Sequence, residues 1–592
     1  MEVNKLDDVI QRWRVTNQED LKPADHELFL HVGQTCIAEG HSAQLLDFIK
    51  DSKNQDIVKS MGSGLLGPLI KEAVRKDRDP VHCQAVITHM VQICSATEVL
   101  NVLLRQVEET DPDAIADTVT LIIQHFQPAL LRLGDIKTQS LNLVLDALHK
   151  QICKLPVPYL CKQEEEDEHG LCRCCTALLT FVQPFVQEIK SRDAKGPPTN
   201  SYHARLRSVL LKFCMKILRE PLLEAQFERR PDTTQNSPLR NVATDIMAIL
   251  PAIHEPLPEL LFYYPLRTQK DEAVVRIDDG DSPESRACLA YLLFVQLIAI
   301  EVFPAVFSPV FVLQCNMGYI NILLSRQDES WILKGLDLHV KSLERVLDNS
   351  LPAELLELKS FNTVPQNLIK IMTDCPIQHL RVKALLVFQL FIKKLNEEAK
   401  HTFFRCIMRT SHHAGVKSVI LTNIKDQAER SSKSKRRDGW FEGTLLLSLL
   451  RDVLSLPRGP ETDLLNDMDR VMVSLNLLRY LLIIERNKPT GMWTDLCNVA
   501  QNYIKMLRVC LSMSKSYYGA ELRRIHENKK VKAKEFKEAA GKKTIQCMMV
   551  KNEALGGMPR EAQEKVLQCA LVTYDLMESL VIRIEEIIDE RP

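Results

Sequence analysis

Glycine is scarce in this chain, with 20 among 592 residues. Folds built from many tight β-turns need glycine for backbone conformations that other residues avoid, so its scarcity argues against a β-sandwich or a β-barrel. Strand-like alternation of apolar and polar residues is missing as well. Leucine-rich segments instead place apolar residues three and four positions apart, which is the period of a helix. The sequence therefore predicts an all-α fold.

The net charge is close to zero, because the chain has 76 Lys and Arg residues and 77 Asp and Glu residues. This balance argues against a general attraction to nucleic acid or to a membrane surface. The first residues, Met1–Asp8, lack the apolar core of a signal peptide. Seventeen cysteines, scattered mostly singly through apolar stretches, suggest reduced thiols that pack as small hydrophobic groups. We expect a cytoplasmic protein, and the basic run Lys433–Arg437 is either a solvated loop or a nuclear-import signal.

Local signatures of catalysis are missing: the sequence has no G-x-S-x-G, H-E-x-x-H or P-loop motif. Gly62–Gly67 matches G-x-G-x-x-G, but a dinucleotide site needs a strand before it and a helix after it. The surrounding pattern is helical, which favours a glycine hinge between two helices. Cys172 and Cys175 form a C-x-x-C near Cys161 and His169, and these residues are either zinc ligands or core thiols. Because Cys172–Cys175 open a strongly helical stretch, we favour core thiols and predict no metal. The missing catalytic motifs lead us to predict no enzyme activity and no cofactor.

The segment Pro365–Arg409 shows the repeat pattern most clearly. Pro365 is predicted to open one helix, and Cys375-Pro376 interrupts the chain before a second. From Val382 to Ile392 only Lys383 and Gln389 are polar, so we expect that helix to be buried on all sides. Alternating helices and tight turns are typical of a HEAT-like solenoid. We predict an elongated, irregular HEAT-like repeat with a domain change near residue 330, giving an N-terminal region 1–330 and a C-terminal region 331–592.

One apolar segment, Ala287–Cys315, is long enough to suggest a membrane span. Glu301, Pro304 and Pro309 oppose that interpretation, because an acid at the centre of a span costs about 2.5–3.5 kcal/mol. We predict a pair of buried core helices.

The helix expected around Val471–Ile484 carries the most informative surface. Two apolar faces leave a third face between them, formed by Asn476, Arg479 and Tyr480. A helix packed on two sides presents such a face on the binding surface of a solenoid, and Arg and Tyr contribute strongly to interfaces. A merely solvated face is the alternative. Arg437, Trp440 and Phe441 are further candidates for the same contact, with a core role as the alternative for the two aromatic residues.

Several strings are specific enough to resemble one known family. They are Leu155-Pro-Val-Pro-Tyr159, Gly170-Leu-Cys-Arg-Cys-Cys175, Gln314-Cys-Asn-Met-Gly318, Lys359-Ser-Phe-Asn-Thr-Val-Pro-Gln366, Cys375-Pro-Ile377, Glu461-Thr-Asp-Leu-Leu465 and Ser474-Leu-Asn-Leu-Leu-Arg-Tyr-Leu481. They resemble stretches of the glomulin family along nearly the whole chain. The resemblance implies a HEAT-like inhibitor of cullin-RING ubiquitin ligases, whose C-terminal half binds the RING domain of the RING-box subunit and covers the docking surface of the ubiquitin-conjugating enzyme.

The same resemblance implies links to an FK506-binding immunophilin, to the hepatocyte growth factor receptor and to vascular smooth muscle development. A general HEAT-repeat adaptor for such partners, without any effect on ubiquitin transfer, is the alternative function.

Overall fold

The structure, a computed structural model, describes residues 23–75, 81–192, 201–227, 237–263, 282–433, 439–456, 458–487, 491–538 and 560–590. Within these ranges every regular element is helical, and the one β-contact is an isolated bridge between Leu351 and Leu395. The predicted all-α fold is confirmed. The chain folds into two compact units, Met1–Arg345 and Val346–Pro592, whereas the sequence placed the change near residue 330.

The N-terminal unit contains fifteen described α-helices, numbered here in chain order. They are α1 Pro23–Ala38, α2 Ser42–Lys50, α3 Gln55–Met61, α4 Leu66–Val74, α5 Val81–Ile93, α6 Ala96–Glu108, α7 Ile115–Leu131, α8 Lys137–Ile152, α9 Cys161–Glu166, α10 Leu171–Arg192, α11 Ser201–Arg219, α12 Pro238–Ala252, α13 Pro283–Phe294, α14 Pro309–Leu324 and α15 Glu329–Glu344.

The repeat organisation of this unit follows from the way its helices pack. Helices α7, α10 and α12 pack side by side in one row, and α8, α11 and α13 form a second row against it. Neighbouring helices contact each other along both rows, and α7 and α10 also contact their partners α8 and α11, which is how a helical-repeat array builds a continuous core.

Three helices in this unit begin in the same way, with a serine followed by proline. Ser237, Ser282 and Ser308 each accept a hydrogen bond on the side-chain oxygen from the backbone N–H three residues later. Proline at the first helical position sacrifices no hydrogen bond there, and serine satisfies one of the free N–H groups. These Ser-Pro pairs fix where α12, α13 and α14 start.

The apolar segment Ala287–Cys315 only partly matches its prediction. All of α13 from Ser285 to Phe294 is buried, as predicted for a core helix. The chain then forms an exposed loop in which Val302 and Val306 are 57% and 83% exposed. The second helix, α14, starts only at Pro309. No helix in the described part of the chain is long and apolar enough to span a bilayer.

The C-terminal unit contains eight described α-helices. They are α16 Lys359–Asp374, α17 Gln378–Lys394, α18 Glu397–Thr410, α19 Ala414–Lys433, α20 Gly443–Val453, α21 Met468–Asn487, α22 Trp493–Glu538 and α23 Arg560–Asp589. Helices α18, α20 and α22 pack in one layer, while α19, α21 and α23 pack in a second layer. Pro365 lies inside α16 rather than at its start, with its ring buried, which corrects the predicted boundary.

Candidate functional site

Helix α21 carries three distinct faces. Val471, Leu475, Leu478 and Leu482 are buried on the first face, and Leu477 and Leu481 are buried on the second. Between them, Asn476 and Arg479 are exposed and Tyr480 is partly exposed. The packing of α21 against α19 on one side and α23 on the other produces this pattern. The three predicted contact residues therefore lie together on a face that packing leaves open.

Neighbouring side chains position Tyr480. The Lys425 ammonium nitrogen of α19 lies 5.1 Å from the centroid of the Tyr480 ring, a cation–π distance. Partial burial and the nearby Glu429 carboxylate raise the pKa of Tyr480, so its hydroxyl stays protonated at neutral pH. Asn476 donates its side-chain N–H to the Met472 carbonyl at 3.0 Å. Tyr480 and Asn476 are therefore held in place by the unit itself, which lowers the entropy that a partner must remove on binding.

The open face of α21 belongs to a row of helices. Asn423 of α19 donates its side-chain N–H to the Gln389 side chain of α17 at 3.3 Å, and Arg486 of α21 pairs with Glu590 beyond α23 at 2.8 Å. Together with the contact between Lys425 and Tyr480, these bonds link α17 to α19, α19 to α21, and α21 to the end of α23. We call the exposed side chains of α17, α19 and α21 along this row the row surface.

Helix α17 contributes an apolar stripe to the row surface, which the sequence did not predict. Val382, Leu385 and Leu386 are 53%, 37% and 64% exposed. The prediction that this helix is buried on all sides is wrong. Its opposite side, which includes Phe388 and Phe391, is fully buried, and Gln389 on the open side bonds to α19. Exposed apolar side chains grouped on one face are typical of interaction sites.

The two aromatic candidates outside α21 lie elsewhere in the unit. The Phe441 ring is buried, with its centroid 5.9 Å from that of Phe404 and 6.0 Å from that of His401. Phe441 is therefore a core residue, which corrects its assignment as a contact residue. Trp440 is partly exposed and packs on the His401 ring of α18 at 5.3 Å, in the layer opposite the row surface. Arg437 lies outside the described residues.

The glycine motif occupies a structural position. Gly62–Leu65 forms a 3-10 turn between α3 and α4, so the glycines lie between two helices, as predicted, and no strand precedes them in the described chain from residue 23 onward. A side chain at Gly64 would collide with Leu30, since an added Cβ would lie 2.5 Å from Leu30 Cδ2.

The cysteine group lies in the core. Cys172, Cys174 and Cys175 are buried in α10, and burial raises the pKa of each thiol. Among the described residues no group of three or more His, Cys, Asp or Glu side chains has a metal-binding arrangement.

Comparisons with known proteins decide the family. A family profile described as "Uncharacterised protein family, YAP/Alf4/glomulin" matches residues 1–558. The chain belongs to the YAP/Alf4/glomulin family.

Individual relatives agree with this assignment. The chain is 41% identical to glomulin from Homo sapiens over 597 residues, covering 100% of this chain and 98% of that protein. It is also 41% identical to glomulin from Mus musculus over 595 residues, with the same coverage. Because the alignments run end to end, both units of this YAP/Alf4/glomulin protein have counterparts in those relatives.

A comparison with solved structures matched a circular tandem repeat protein with novel repeat topology and enhanced subunit contact surfaces. The match covers 95% of this chain and 98% of that chain, at 8% identity and a TM-score of 0.22. At that score the match adds nothing to the fold, which rests on the packing of the helices.

Proposed function

We propose that this protein is a non-enzymatic regulator of cullin-RING ubiquitin ligases. It binds the RING domain of the RING-box subunit while that subunit holds its cullin, and it covers the surface on which the ubiquitin-conjugating enzyme docks. Ubiquitin transfer is then inhibited by occlusion rather than by chemistry. Membership of the YAP/Alf4/glomulin family supports this proposal, as does the resemblance of Ser474–Leu481 to that family.

The open face of α21 is the main structural support for the proposal. Asn476, Arg479 and Tyr480 lie on a helix whose other two faces are buried, so their backbone is rigid before any partner arrives. Arg479 is exposed, and its guanidinium has no ion-pair partner among the described residues. An arginine and a tyrosine presented in this way are the residue types that contribute most to protein interfaces.

The row surface suits a RING domain for a second reason. A conjugating-enzyme docking surface has an apolar centre, and the Val382, Leu385 and Leu386 stripe offers an apolar counterpart on α17. We expect the apolar stripe to cover the centre of that surface and the α21 face to form polar contacts at its rim.

A binding measurement tests this proposal. In the full-length protein, Arg479→Ala together with Tyr480→Ala should weaken binding of the RING-box–cullin complex by about 2 kcal/mol, or about thirtyfold in Kd. Leu385→Ser together with Leu386→Ser should weaken it as well. Both pairs are at least partly exposed, so the melting temperature should change little.

A matched control is available on α22, in the other layer. Tyr517→Ala together with Arg523→Ala removes the same two residue types from exposed positions. This control should bind like the wild-type protein. Unchanged binding by the folded α21 double variant would remove the α21 face from the site. Intact RING binding without inhibition of ubiquitin transfer would favour the adaptor function instead.

A further inference from the structure

A groove in the N-terminal unit has no role in the function proposed above. Three segments that are distant in sequence form it: the loop at Tyr159, the loop at Glu224, and the start of α15. The groove encloses a volume of about 320 Å³, which is within the range of small-ligand and side-chain sites. Its chemically distinctive residues are Tyr159, Glu224, Asp328, Glu329 and Trp331.

The charge of the groove comes from carboxylates. Burial and the neighbouring carboxylates of Glu220 and Asp328 raise the pKa of Glu224, which shows that negative charges are held close together here. Asp328 immediately precedes α15, and its side chain makes no capping hydrogen bond to that helix. The positive charge of Lys334 lowers the pKa of Glu224, but the Lys334 ammonium is buried below the loop and donates to the Ala225 carbonyl. Glu224 and Asp328 are both exposed and line the groove, so their negative charges are accessible from it.

Two aromatic rings complete the walls. Tyr159 is 52% exposed, and its hydroxyl donates to Glu329 Oε1 at 3.2 Å. The Trp331 ring already binds a cation of the chain itself: the guanidinium carbon of Arg326 lies 5.2 Å from the ring centroid. The same guanidinium pairs with Glu284 at 2.9 Å. A cation held between an aromatic ring and a carboxylate therefore already exists at the rim of this groove.

A second, smaller cavity adjoins the groove. It encloses about 150 Å³ and shares Val157 and Pro158 with the groove as a common wall. Glu166 and Glu168 line it, although Lys162 lies 3.6 Å from Glu166 and partly neutralises that residue. Acidic groups thus lie on both sides of the Val157–Pro158 wall. A ligand with several positive charges along its length matches this arrangement better than a single small cation does.

We propose that the groove binds a lysine or arginine side chain of an extended basic segment in a partner protein, with the segment crossing the Val157–Pro158 wall. The carboxylates of Glu224 and Asp328 would pair with the cation, and the rings of Tyr159 and Trp331 would contact its aliphatic stem and charged end. This site lies in the N-terminal unit and does not depend on the RING proposal.

Fluorescence anisotropy with two labelled peptides tests the site on the full-length protein at low salt. One peptide alternates lysine with serine, and the other alternates glutamate with serine. The lysine peptide should bind, and its binding should weaken as salt screens exposed charges. Glu224→Gln together with Asp328→Asn, which removes two exposed charges, should weaken binding by about tenfold. Trp331→Leu should weaken it more than Trp331→Phe, because the phenyl ring keeps an aromatic face.

The control for net charge is Glu27→Gln together with Asp113→Asn, two exposed carboxylates outside the groove lining. This variant should bind the lysine peptide like the wild-type protein. Equal loss in this control, or equal binding of the glutamate peptide, would overturn the proposal. Hydrogen exchange on the wild-type protein gives a second measurement that needs no variant. The lysine peptide should slow exchange at residues 156–160 and 224–226, and unchanged exchange there would also overturn the proposal.

Discussion

The buried Lys334 should make a contribution to stability that rises with pH in the alkaline range. Its side chain is 2% exposed, and its ammonium nitrogen donates to the Ala225 carbonyl at 2.5 Å. The rings of Phe227 and Tyr291 lie 5.7 Å and 5.5 Å from that nitrogen. Burial lowers the pKa of Lys334 to about 8, from an ordinary value of 10.5.

The sign of the effect follows from proton binding. Between about pH 8 and 10.5 the unfolded chain keeps the Lys334 proton while the folded chain releases it, so the contribution of Lys334 to the free energy of unfolding rises with pH. At about 1.36 kcal/mol for each pKa unit, the full gain is about 3 kcal/mol. Below pH 8 Lys334 is charged in both the folded and the unfolded state, and burying its ammonium destabilises the folded state.

Urea unfolding of the wild-type protein and of Lys334→Met measures this gain. Methionine leaves the Ala225 carbonyl without its donor, which costs about 1–3 kcal/mol at every pH. That cost does not change with pH. Other groups titrate equally in both proteins, so their effects cancel in the difference between the two free energies of unfolding. The difference in free energy of unfolding should therefore move by about 3 kcal/mol in favour of the wild type between about pH 7 and 10.5. Parallel pH profiles for the two proteins would refute the assignment of a buried, titrating Lys334.

Two further predictions concern the cysteine group and the aromatic pair. If Cys161, Cys172 and Cys175 are core thiols, the purified protein should contain no stoichiometric zinc, and a chelator should leave its melting temperature unchanged; one equivalent of tightly bound zinc would contradict this. Phe441→Ala should cost about 3–5 kcal/mol because it leaves a cavity in the core. Trp440→Ala, at a partly exposed position, should cost about 1–2 kcal/mol by equilibrium unfolding. Similar losses for the two variants would show that the core assignment of Phe441 is wrong.

The sequence predicts the buried and exposed faces of a helix well where apolar residues mark one face and polar residues mark another. On α21 the leucines at 475, 478 and 482 are buried and Arg479 is exposed, because helical periodicity directly reports which side chains share a face. The same reasoning failed on α17. An apolar residue such as Leu386 shows that a face is suited to burial, but periodicity does not show whether a neighbouring helix covers it.

The acidic groove lies beyond what sequence patterns reveal. Tyr159, Glu224 and Asp328 are separated by dozens of residues, and no sequence motif contains more than one of them. The N-terminal unit brings them together by packing α15 and the loops before it against one another, with Lys334 bonded to the Ala225 carbonyl below the loop. Such a site depends on tertiary contacts between segments that carry no shared periodic signal.

A ubiquitin-transfer assay is the decisive measurement for the proposed inhibition. A cullin-RING ligase, its ubiquitin-conjugating enzyme and a substrate are mixed with the full-length wild-type protein, with the Arg479→Ala and Tyr480→Ala double variant, or with the Tyr517→Ala and Arg523→Ala control. We expect the wild-type protein and the control to inhibit transfer, the double variant to inhibit about thirtyfold less effectively, and excess conjugating enzyme to relieve the inhibition. Equal inhibition by the double variant and the wild-type protein, or no inhibition by either, would contradict occlusion through the α21 face.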